Sequence, residues 1–341
     1  MSTIIKENYT LCIIIPNFNE GKYIGAMLDS ILSNDFEDWR CIVVDDGSTD
    51  CSIDILKKYA KEQPRITYFL RNRLPKGAQT CRNIGFEKSV GAKYIIWFDS
   101  DDIVAPYCLR QRVEYMERHP NLDFAIFPAK KFSGNIEEET TWFTGVYYSY
   151  DELMMFMHHK LPYVVWCNIY RRDKIQEARI TWDENILSLQ DSDFNIQGLV
   201  NKLKHNYAIL DKARIDYYYR CKNNGISSNI KSTKHINSHL YFLEKTYNSL
   251  ENSSTTISSV DICINILRFL QNFDYIHNSL FCRKLYKISW FKHHPLLWIK
   301  FLIYLKIKKY DKYLFKKAIN RDKIYEIKYS EMEHYIKENL L

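Results

Sequence analysis

The sequence lacks the segments and motifs that mark several large protein classes. No stretch reaches the roughly 18 to 20 apolar residues that span a bilayer, and the first residues contain no apolar core of a signal peptide. Neither G-x-G-x-x-G nor G-x-x-x-x-G-K-[ST] occurs, which argues against a dinucleotide Rossmann domain and a P-loop kinase. The nine cysteines form no CxxC pair and the sequence shows no internal repeat. We therefore expect free, buried thiols in a reducing, cytoplasmic compartment.

The positive charge is concentrated in one segment. The chain has 341 residues, 46% of them hydrophobic, and a net charge of +7, but residues 283–323 alone carry 13 Lys and Arg against two acids. The rest is mildly acidic, which argues against binding to nucleic acid. The apolar run Pro295–Leu305 is too short to span a bilayer. It is typical of an interfacial helix on an anionic membrane, or of a helix docked on the protein or a second subunit.

Buried strands alternate with amphipathic helices over the first 130 residues. Leu11–Ile15 is a continuous apolar run that ends at Pro16, and apolar residues then recur at helical spacing from Ile24 to Leu32. The same alternation repeats three times. Further strands are predicted at Cys41–Val44, Ile66–Leu70, Tyr94–Phe98 and Phe124–Phe127, and helices near Ile53–Tyr59, from Ala78, and at Leu109–Arg118. This layout predicts an α/β fold with a mostly parallel, doubly wound sheet.

Three carboxylates within four residues follow the strand Tyr94–Phe98, in the sequence Asp99-Ser100-Asp101-Asp102. Carboxylates this close repel one another, so they require a compensating cation or hydrogen-bond donors. A Mg²⁺ or Mn²⁺ ion bridging to phosphate oxygens would supply that charge. The alternative is a solvated acidic turn that caps the helix beginning near Pro106.

The next hundred residues are rich in aromatic and polar side chains. Trp142, Trp166, Tyr170 and Trp182 are candidates for a sugar-binding surface, because sugar C–H faces stack on aromatic rings. The alternative is that they form the core. Segment Ala208–Tyr219 is predicted to form a strand pair, and the composition changes to helix-like sequence from Asn229 onward. We therefore predict two domains, 1–228 and a helical, basic and aromatic extension at 229–341.

Four motifs occur in an order that resembles the family 2 glycosyltransferases, which have the GT-A fold. They are Ile14-Ile15-Pro16-Asn17-Phe18-Asn19-Glu20, Val43-Val44-Asp45-Asp46-Gly47-Ser48-Thr49-Asp50, Cys81-Arg82-Asn83-Ile84-Gly85 and Phe98-Asp99-Ser100-Asp101-Asp102. The resemblance is strong over residues 10–130 and weaker to 228.

The resemblance implies a donor site for a nucleotide-diphosphate sugar. Pro16 and Phe18 would line the base, Asp46 beside Asp45 would accept the uracil imide N–H, and Arg82 would lie near the donor. The Asp99-Ser100-Asp101 element would bind ribose and, through the metal, the diphosphate, with Asp101 as the favoured metal ligand and Asp102 as the alternative. Glu20 and Arg220 complete the implied donor-binding set.

The acceptor side is implied by later segments. The family carries a Glu-Asp pair whose Asp is the general base, and here that position resembles Gln190-Asp191, with the Glu replaced. Asp193 is the competing carboxylate, and both acids are alternatively ordinary first-turn helix residues. Trp166 resembles an acceptor-side tryptophan.

The resemblance therefore implies an inverting, metal-dependent hexosyl- or N-acetylhexosaminyltransferase in cell-surface polysaccharide biosynthesis. The donor would be a UDP-sugar and the acceptor a hydroxyl of a glycan or lipid-linked oligosaccharide. The alternatives are a sugar nucleotidyltransferase, or a catalytically inactive GT-A-like membrane-binding protein. We expect the transferase in the cytoplasm, and its attachment to the inner face of the plasma membrane through residues 283–323 is left open. Homo-oligomerisation is left open.

Overall fold

The structure, a computed structural model, describes residues 8–134, 140–145, 152–157, 161–222, 232–252 and 279–288, with shorter stretches up to residue 299. The predicted domain boundary near 228 and most of the basic segment 283–323 lie outside these residues. The chain divides into two compact units. Unit 1 comprises Met1–Val146, Tyr163–Asn185 and Asn201–Asn223, and unit 2 comprises Tyr147–Pro162, Ile186–Val200 and Asn224–Leu341. Among the described residues, no helix is both long and apolar enough to cross a membrane.

Eleven strands and nine helices are described. The strands are β1 (Tyr9–Asn17), β2 (Trp39–Asp45), β3 (Ile66–Leu70), β4 (Ala92–Trp97), β5 (Ile103–Val104), β6 (Phe124–Ile126), β7 (Ala129–Phe132), β8 (Thr140–Thr144), β9 (Asn168–Arg171), β10 (His205–Tyr207) and β11 (Tyr217–Arg220). The helices are α1 (Ile24–Leu32), α2 (Ser52–Glu62), α3 (Ala78–Lys88), α4 (Cys108–Arg118), α5 (Glu152–Met157), α6 (Arg172–Glu177), α7 (Gln190–Val200), α8 (Thr233–Asn252) and α9 (Ser279–Leu285).

A seven-stranded sheet organises unit 1, with strand order β10-β6-β9-β4-β1-β2-β3. Every pairing is parallel except those of β9, which runs antiparallel to β4 and β6. β1 and the Tyr94–Trp97 part of β4 are apolar and almost fully buried, as expected for strands covered on both faces. The predicted α/β fold with a mostly parallel sheet is confirmed.

The carboxyl ends of the central strands meet at one edge of this sheet. Asn17, at the end of β1, pairs with Asp45, at the end of β2. After β4, the Phe98 amide donates to the Ile14 carbonyl at 3.0 Å, so Asp99 begins beside the end of β1. The polar residues that follow three separate strands are therefore brought together, as the strand order of an open α/β sheet requires.

A second sheet of four strands, in the order β5-β11-β7-β8, was not predicted. β5 begins one residue after Asp102 and pairs antiparallel with β11, Tyr217 lying opposite Val104. β11 also pairs parallel with β7. The acidic segment is thereby tied to residues more than a hundred positions later in the chain.

One expectation of local structure and one of the stated alternatives are wrong. Ala208–Tyr219 is no strand pair, because Ala208–Asp211 forms a 3₁₀ turn that ends at Lys212 in the left-handed region (φ 63°), leaving only β11 as a strand. The acids at 99–102 do not cap the following helix. Instead, the side-chain oxygen of Asn34 accepts from the Leu109 amide in the first turn of α4, at 2.9 Å.

The aromatic residues of the middle segment that the structure describes lie in the core. Trp97 makes edge-on contacts with Tyr170 and Trp182, with ring centroids 5.5 and 5.8 Å apart. Burial is shared by Trp166, Tyr170 and Trp182. The alternative that these aromatic residues form part of the core is therefore confirmed for all three. The side chain of Trp142 lies outside the described set.

Unit 2 contains α5, α7, α8 and α9. The buried Asp193 carboxylate on α7 pairs with Lys245 on α8 at 2.7 Å and accepts from the Gln197 amide at 2.8 Å. Just before α7, the Ser188 hydroxyl lies 2.6 Å from His239 Nε2. Polar contacts from α8 therefore hold both the start and the first turns of α7.

Candidate active site

The loop after β2 is organised by the buried carboxylate of Asp45. It accepts hydrogen bonds from the Asn17 amide at 2.7 Å, from the backbone N–H groups of Gly47 and Ser48, and from the Ser48 hydroxyl at 2.6 Å. Gly47 has φ +90°, a conformation that favours glycine. Asp45 thus fixes the shape of this loop through four donors, and it links the ends of β1 and β2.

Asp46 has a different environment from its neighbour. Its backbone N–H donates to the Asn17 carbonyl at 2.8 Å, and its carboxylate is paired with the guanidinium of Arg71, which follows β3. Asp46 is buried, and so is Pro16, whereas the Phe18 ring is 50% exposed at the end of β1. The structure therefore brings the three residues implied for base binding to one edge of the sheet.

The Arg82-Asn83-Ile84-Gly85 motif lies on α3 and joins several elements. Arg82 Nη2 donates to Asp99 Oδ1 at 2.7 Å, and its guanidinium lies 4.3 Å from the centre of the Trp182 ring. The Asn83 side-chain amide donates to the Trp182 carbonyl at 2.8 Å, and its oxygen accepts from the Trp182 backbone N–H at 3.0 Å. A Cβ atom on Gly85 would collide with Ile14, so glycine permits α3 to pack closely on β1.

Asp102 is fully buried, and both of its oxygens accept hydrogen bonds from β11. The Tyr217 hydroxyl donates to Oδ2 at 2.6 Å, and the Arg220 backbone N–H donates to Oδ1 at 2.7 Å. Burial, together with the charges of Asp101 and Asp99, raises the pKa of Asp102 well above its usual range. Asp102 therefore anchors the acidic segment to β11.

Asp99 and Asp101 are more open than Asp102. The Asp99 side chain is 27% exposed, and burial raises its pKa although Arg82 acts in the opposite direction. The Asp101 side chain is 20% exposed, and its Oδ2 atom lies 2.8 Å from Lys222 Nζ. Ser100 between them is buried.

Lys222 and Arg220 bring positive charge to the acidic segment from β11 and the residues directly after it. Lys222 Nζ also lies 2.5 Å from Glu20 Oε1, and Arg220 Nε donates to the Asp101 carbonyl at 2.7 Å. Burial lowers the pKa of Lys222, but hydrogen bonds to Asp101 and Glu20 outweigh that effect and raise it. Burial raises the pKa of Glu20. Lys222 is therefore a charged ammonium between two carboxylates.

The residues implied for the acceptor side lie in different surroundings. Trp166 is 5% exposed, because its ring stacks on Tyr217 and Tyr219 with centroids 4.4 and 5.8 Å apart. Gln190 and Asp191 occupy the first turn of α7 in unit 2, and the Asp191 side chain is partly exposed. Asp193 is buried in its ion pair with Lys245. Of the two acids, only Asp191 retains solvent access.

Within the acidic segment, Asp101 is suited to holding a divalent cation, and only in combination with substrate phosphates. Among the described residues, no group of three or more His, Cys, Asp or Glu side chains is arranged to hold a metal ion. Asp102 has both oxygens occupied by protein donors, whereas Asp101 Oδ2 already binds a cation, the Lys222 ammonium. Mg²⁺ is commonly held by one or two carboxylates together with substrate phosphates. Asp101 suits that mode, and Asp102 does not.

Sequence reasoning missed Tyr217, Lys222 and Asn83 as parts of this site. Tyr217 and Lys222 are distant in sequence from the acidic segment and reach it only through the β5–β11 pairing. Asn83 lies inside a quoted motif, but its partner Trp182 is 99 residues away. No periodicity or spacing in the sequence reports such a contact.

The fold and the acidic strand end define a class of protein. A large central, mostly parallel sheet, with carboxylates and basic side chains gathered at the ends of its strands, is the GT-A glycosyltransferase fold. Residues 12–179 match the family model for glycosyl transferase family 2. This segment is therefore similar to family 2 glycosyltransferases, in agreement with the resemblance of the four motifs. The GT-A fold inferred from those motifs is confirmed.

Relatives and solved structures agree with this assignment. The chain is 30% identical over 216 residues to the uncharacterized glycosyltransferase YibD of Escherichia coli, the alignment covering 61% of each protein. It is 24% identical to the poly(ribitol-phosphate) beta-N-acetylglucosaminyltransferase TarS of Staphylococcus aureus, over 62% of this chain and 36% of TarS. The match thus spans less than two thirds of both relatives. The structure of S. aureus TarS 1–349 in complex with UDP-GlcNAc has a TM-score of 0.61 at 17% identity, covering 77% and 73% of the two chains.

Proposed function

We propose that this chain is an inverting glycosyltransferase that moves a sugar from a UDP-sugar to a hydroxyl group of a glycan or lipid-linked acceptor. The observation that carries the proposal is the meeting of the Asp45-Asp46 loop, Arg82 and the Asp99–Asp102 segment at one edge of the sheet. The names of two relatives, TarS and the minor teichoic acid biosynthesis protein GgaB of Bacillus subtilis, favour a role in cell-surface polysaccharide biosynthesis.

The donor would be recognised by groups with opposite electrostatic character. Phe18 offers an exposed aromatic face for the base, and the Asp46 carboxylate can accept an imide N–H. Arg82 and Arg220 would provide positive charge for the diphosphate, since guanidinium groups suit phosphate oxygens. This combination favours a uridine diphosphate over a neutral ligand.

Asp101 would hold a Mg²⁺ or Mn²⁺ ion together with the diphosphate oxygens, with Asp99 beside it. When bound, the metal offsets negative charge on the leaving diphosphate. The role of Asp102 would be to support Asp101 through β11, because its oxygens are already used by Tyr217 and Arg220. Asp102 is thus the less suitable of the two metal-ligand candidates.

Asp191 would be the general base that takes the proton of the acceptor hydroxyl. Its competitor Asp193 is buried and accepts from Lys245 and Gln197, so its carboxylate already has a structural use. Gln190 would lie beside the base in place of the family's Glu. Trp166 would support the acceptor side from within the core rather than through an exposed face.

Transfer or hydrolysis of a panel of UDP-sugars, followed as UDP release, tests the proposal. We expect activity with at least one UDP-sugar, and a loss of about 10²- to 10⁴-fold in turnover in Asp191→Asn with unchanged UDP affinity. Asp54→Asn is the matched control, because Asp54 also lies in the first turn of a helix, α2, and is exposed. It should keep wild-type turnover.

Three results would contradict specific parts of the proposal. Near wild-type turnover in Asp191→Asn would exclude it as the base. Formation of a nucleotide sugar from a sugar phosphate and a nucleoside triphosphate would favour the nucleotidyltransferase alternative. Absence of UDP binding, together with binding to anionic vesicles, would favour the inactive membrane-binding alternative, which depends on the charge of residues 283–323.

A further inference from the structure

The Lys222 ammonium contacts two carboxylates that belong to different loops. Its Nζ atom lies 2.5 Å from Glu20 Oε1, in the loop after β1, and 2.8 Å from Asp101 Oδ2, after β4. It also lies 4.8 Å from the centre of the Tyr23 ring, at the N-terminal end of α1. All three side chains of the ion-pair cluster are about a quarter exposed or less. The ammonium is thus held in a defined position at the acidic segment.

This position coincides with the atom that the proposed function assigns to a divalent cation. Arg82 is paired with Asp99 Oδ1, and both Asp102 oxygens accept hydrogen bonds from β11. Asp101 Oδ2 instead carries the Lys222 ammonium, a lysine cation on a long side chain. An ammonium and a metal ion on one oxygen would be like charges at close range, which disfavours their joint presence. Binding of either cation at Asp101 therefore weakens binding of the other.

Lys222 is suited to exchanging partners. Lysine carries a compact charge on a flexible stem with three rotatable donors, and it binds phosphate as a point charge. The neighbouring Arg220 is more constrained, because its backbone N–H is bonded to Asp102 and its Nε to the Asp101 carbonyl. Of the two basic side chains, Lys222 is the one whose anionic contacts are made only by its terminal atom.

We propose that Lys222 competes with a divalent cation for Asp101, and that a nucleoside diphosphate relieves this competition by offering the Lys222 ammonium another anion. The proposal depends on the UDP-sugar donor proposed above. The protein without donor then binds the metal weakly, and the metal and the diphosphate strengthen each other's binding. Because such coupling is reciprocal, each ligand raises the affinity for the other by the same factor.

Mn²⁺ binding to the full-length protein, measured by electron paramagnetic resonance without any nucleotide, tests the competition directly. Lys222→Met keeps an unbranched side chain of similar length against Tyr23 and removes the charge. We expect it to bind Mn²⁺ about tenfold more tightly than wild type, a size typical of coupling between sites. Lys93→Met is the matched control. This substitution removes the charge of another lysine of unit 1, which is paired with Glu117. The variant should bind Mn²⁺ with wild-type affinity.

A second titration adds UDP. Saturating UDP should raise the Mn²⁺ affinity of the wild-type protein. The factor of this increase should be about ten times larger than the factor measured for Lys222→Met. Equal or weaker Mn²⁺ binding in Lys222→Met without nucleotide would overturn the proposal. UDP binding that needs Lys222 but shows no Mn²⁺ dependence in wild type would overturn it too, because Lys222 would then replace the metal. Failure of every variant to bind UDP would refute the donor class, while the nucleotide-free Mn²⁺ comparison would still decide the role of Lys222.

Discussion

The hydroxyl of Tyr217 joins the two sheets of unit 1 at the acidic segment, so its removal should cost much more than one ordinary hydrogen bond. Tyr217→Phe deletes the donor 2.6 Å from the buried Asp102 carboxylate and the acceptor for the Asp99 amide at 3.2 Å. A hydrogen bond to a charged group contributes about 1.5–3 kcal/mol, and a neutral one about 1 kcal/mol. We therefore expect the free energy of unfolding to fall by about 3 kcal/mol.

The pH dependence of this loss has a definite sign. Tyr217 donates to the ionised form of Asp102, whose pKa is raised in the folded protein by burial and by its neighbours Asp101 and Asp99. As pH falls through that raised pKa, Asp102 becomes neutral and the interaction that Tyr217→Phe removes becomes weaker. The difference in unfolding free energy between wild type and variant should thus be largest near pH 8 and should shrink as the solution is acidified.

Urea unfolding followed by circular dichroism measures both quantities, and Tyr218→Phe provides the control. Tyr218 is the next residue of β11, and within the described part of the chain its hydroxyl has no hydrogen-bond partner, so the same substitution should change stability by less than about 0.5 kcal/mol. Equal destabilisation by the two variants would refute the reasoning. So would a loss for Tyr217→Phe that grows as pH falls.

Two further predictions concern the packing that supports this region. Asp216→Asn should destabilise the protein by about 3–5 kcal/mol in the same urea assay, because it breaks a fully buried ion pair in which Arg112 Nη2 lies 2.7 Å from Asp216 Oδ1. A loss of stability no larger than that for an exposed ion pair would contradict this prediction. Gly85→Ala should lower the free energy of unfolding by about 1–3 kcal/mol, because its Cβ atom would collide with Cγ2 of Ile14. Ile14→Ala removes that methyl group, so an equal loss from Gly85→Ala in an Ile14→Ala background would contradict this explanation.

The sequence was sufficient to predict five strands of the seven-stranded sheet, β1 to β4 and β6, because their signals are local, whereas the short strands β9 and β10 were missed. The apolar run of β1 and the spacing from Ile24 to Leu32 specify a buried strand and an amphipathic helix without reference to any other part of the chain. The carboxyl ends of parallel strands then meet by geometry, so Asn17, Asp45 and Asp99 could be expected at one edge.

The second sheet could not be predicted, because its strands are short and their pairing is not local in sequence. β5 has two residues and β11 has four, so neither shows a periodicity that distinguishes a strand from a loop. Their pairing depends on a contact between residues more than a hundred positions apart. The neighbouring segment Ala208–Asp211 is apolar like a strand, yet it turns, because burial of Ala208 and Ile209 is satisfied in a compact 3₁₀ geometry. Lys222 and Tyr217 were missed with that sheet.

The pairing of Asn83 with Trp182 has a consequence for how this domain tolerates changes in length. A side-chain amide that both donates to and accepts from one backbone residue acts like an extra pair of strand hydrogen bonds, here between α3 and a segment 99 residues later. Glu184, which accepts from Asn83 and pairs with Arg73, is located by the same contact. Because both hydrogen bonds with Trp182 join α3 directly to that residue, we expect changes of length in the segments that connect them to leave Arg82, the neighbour of Asn83 on α3, in position.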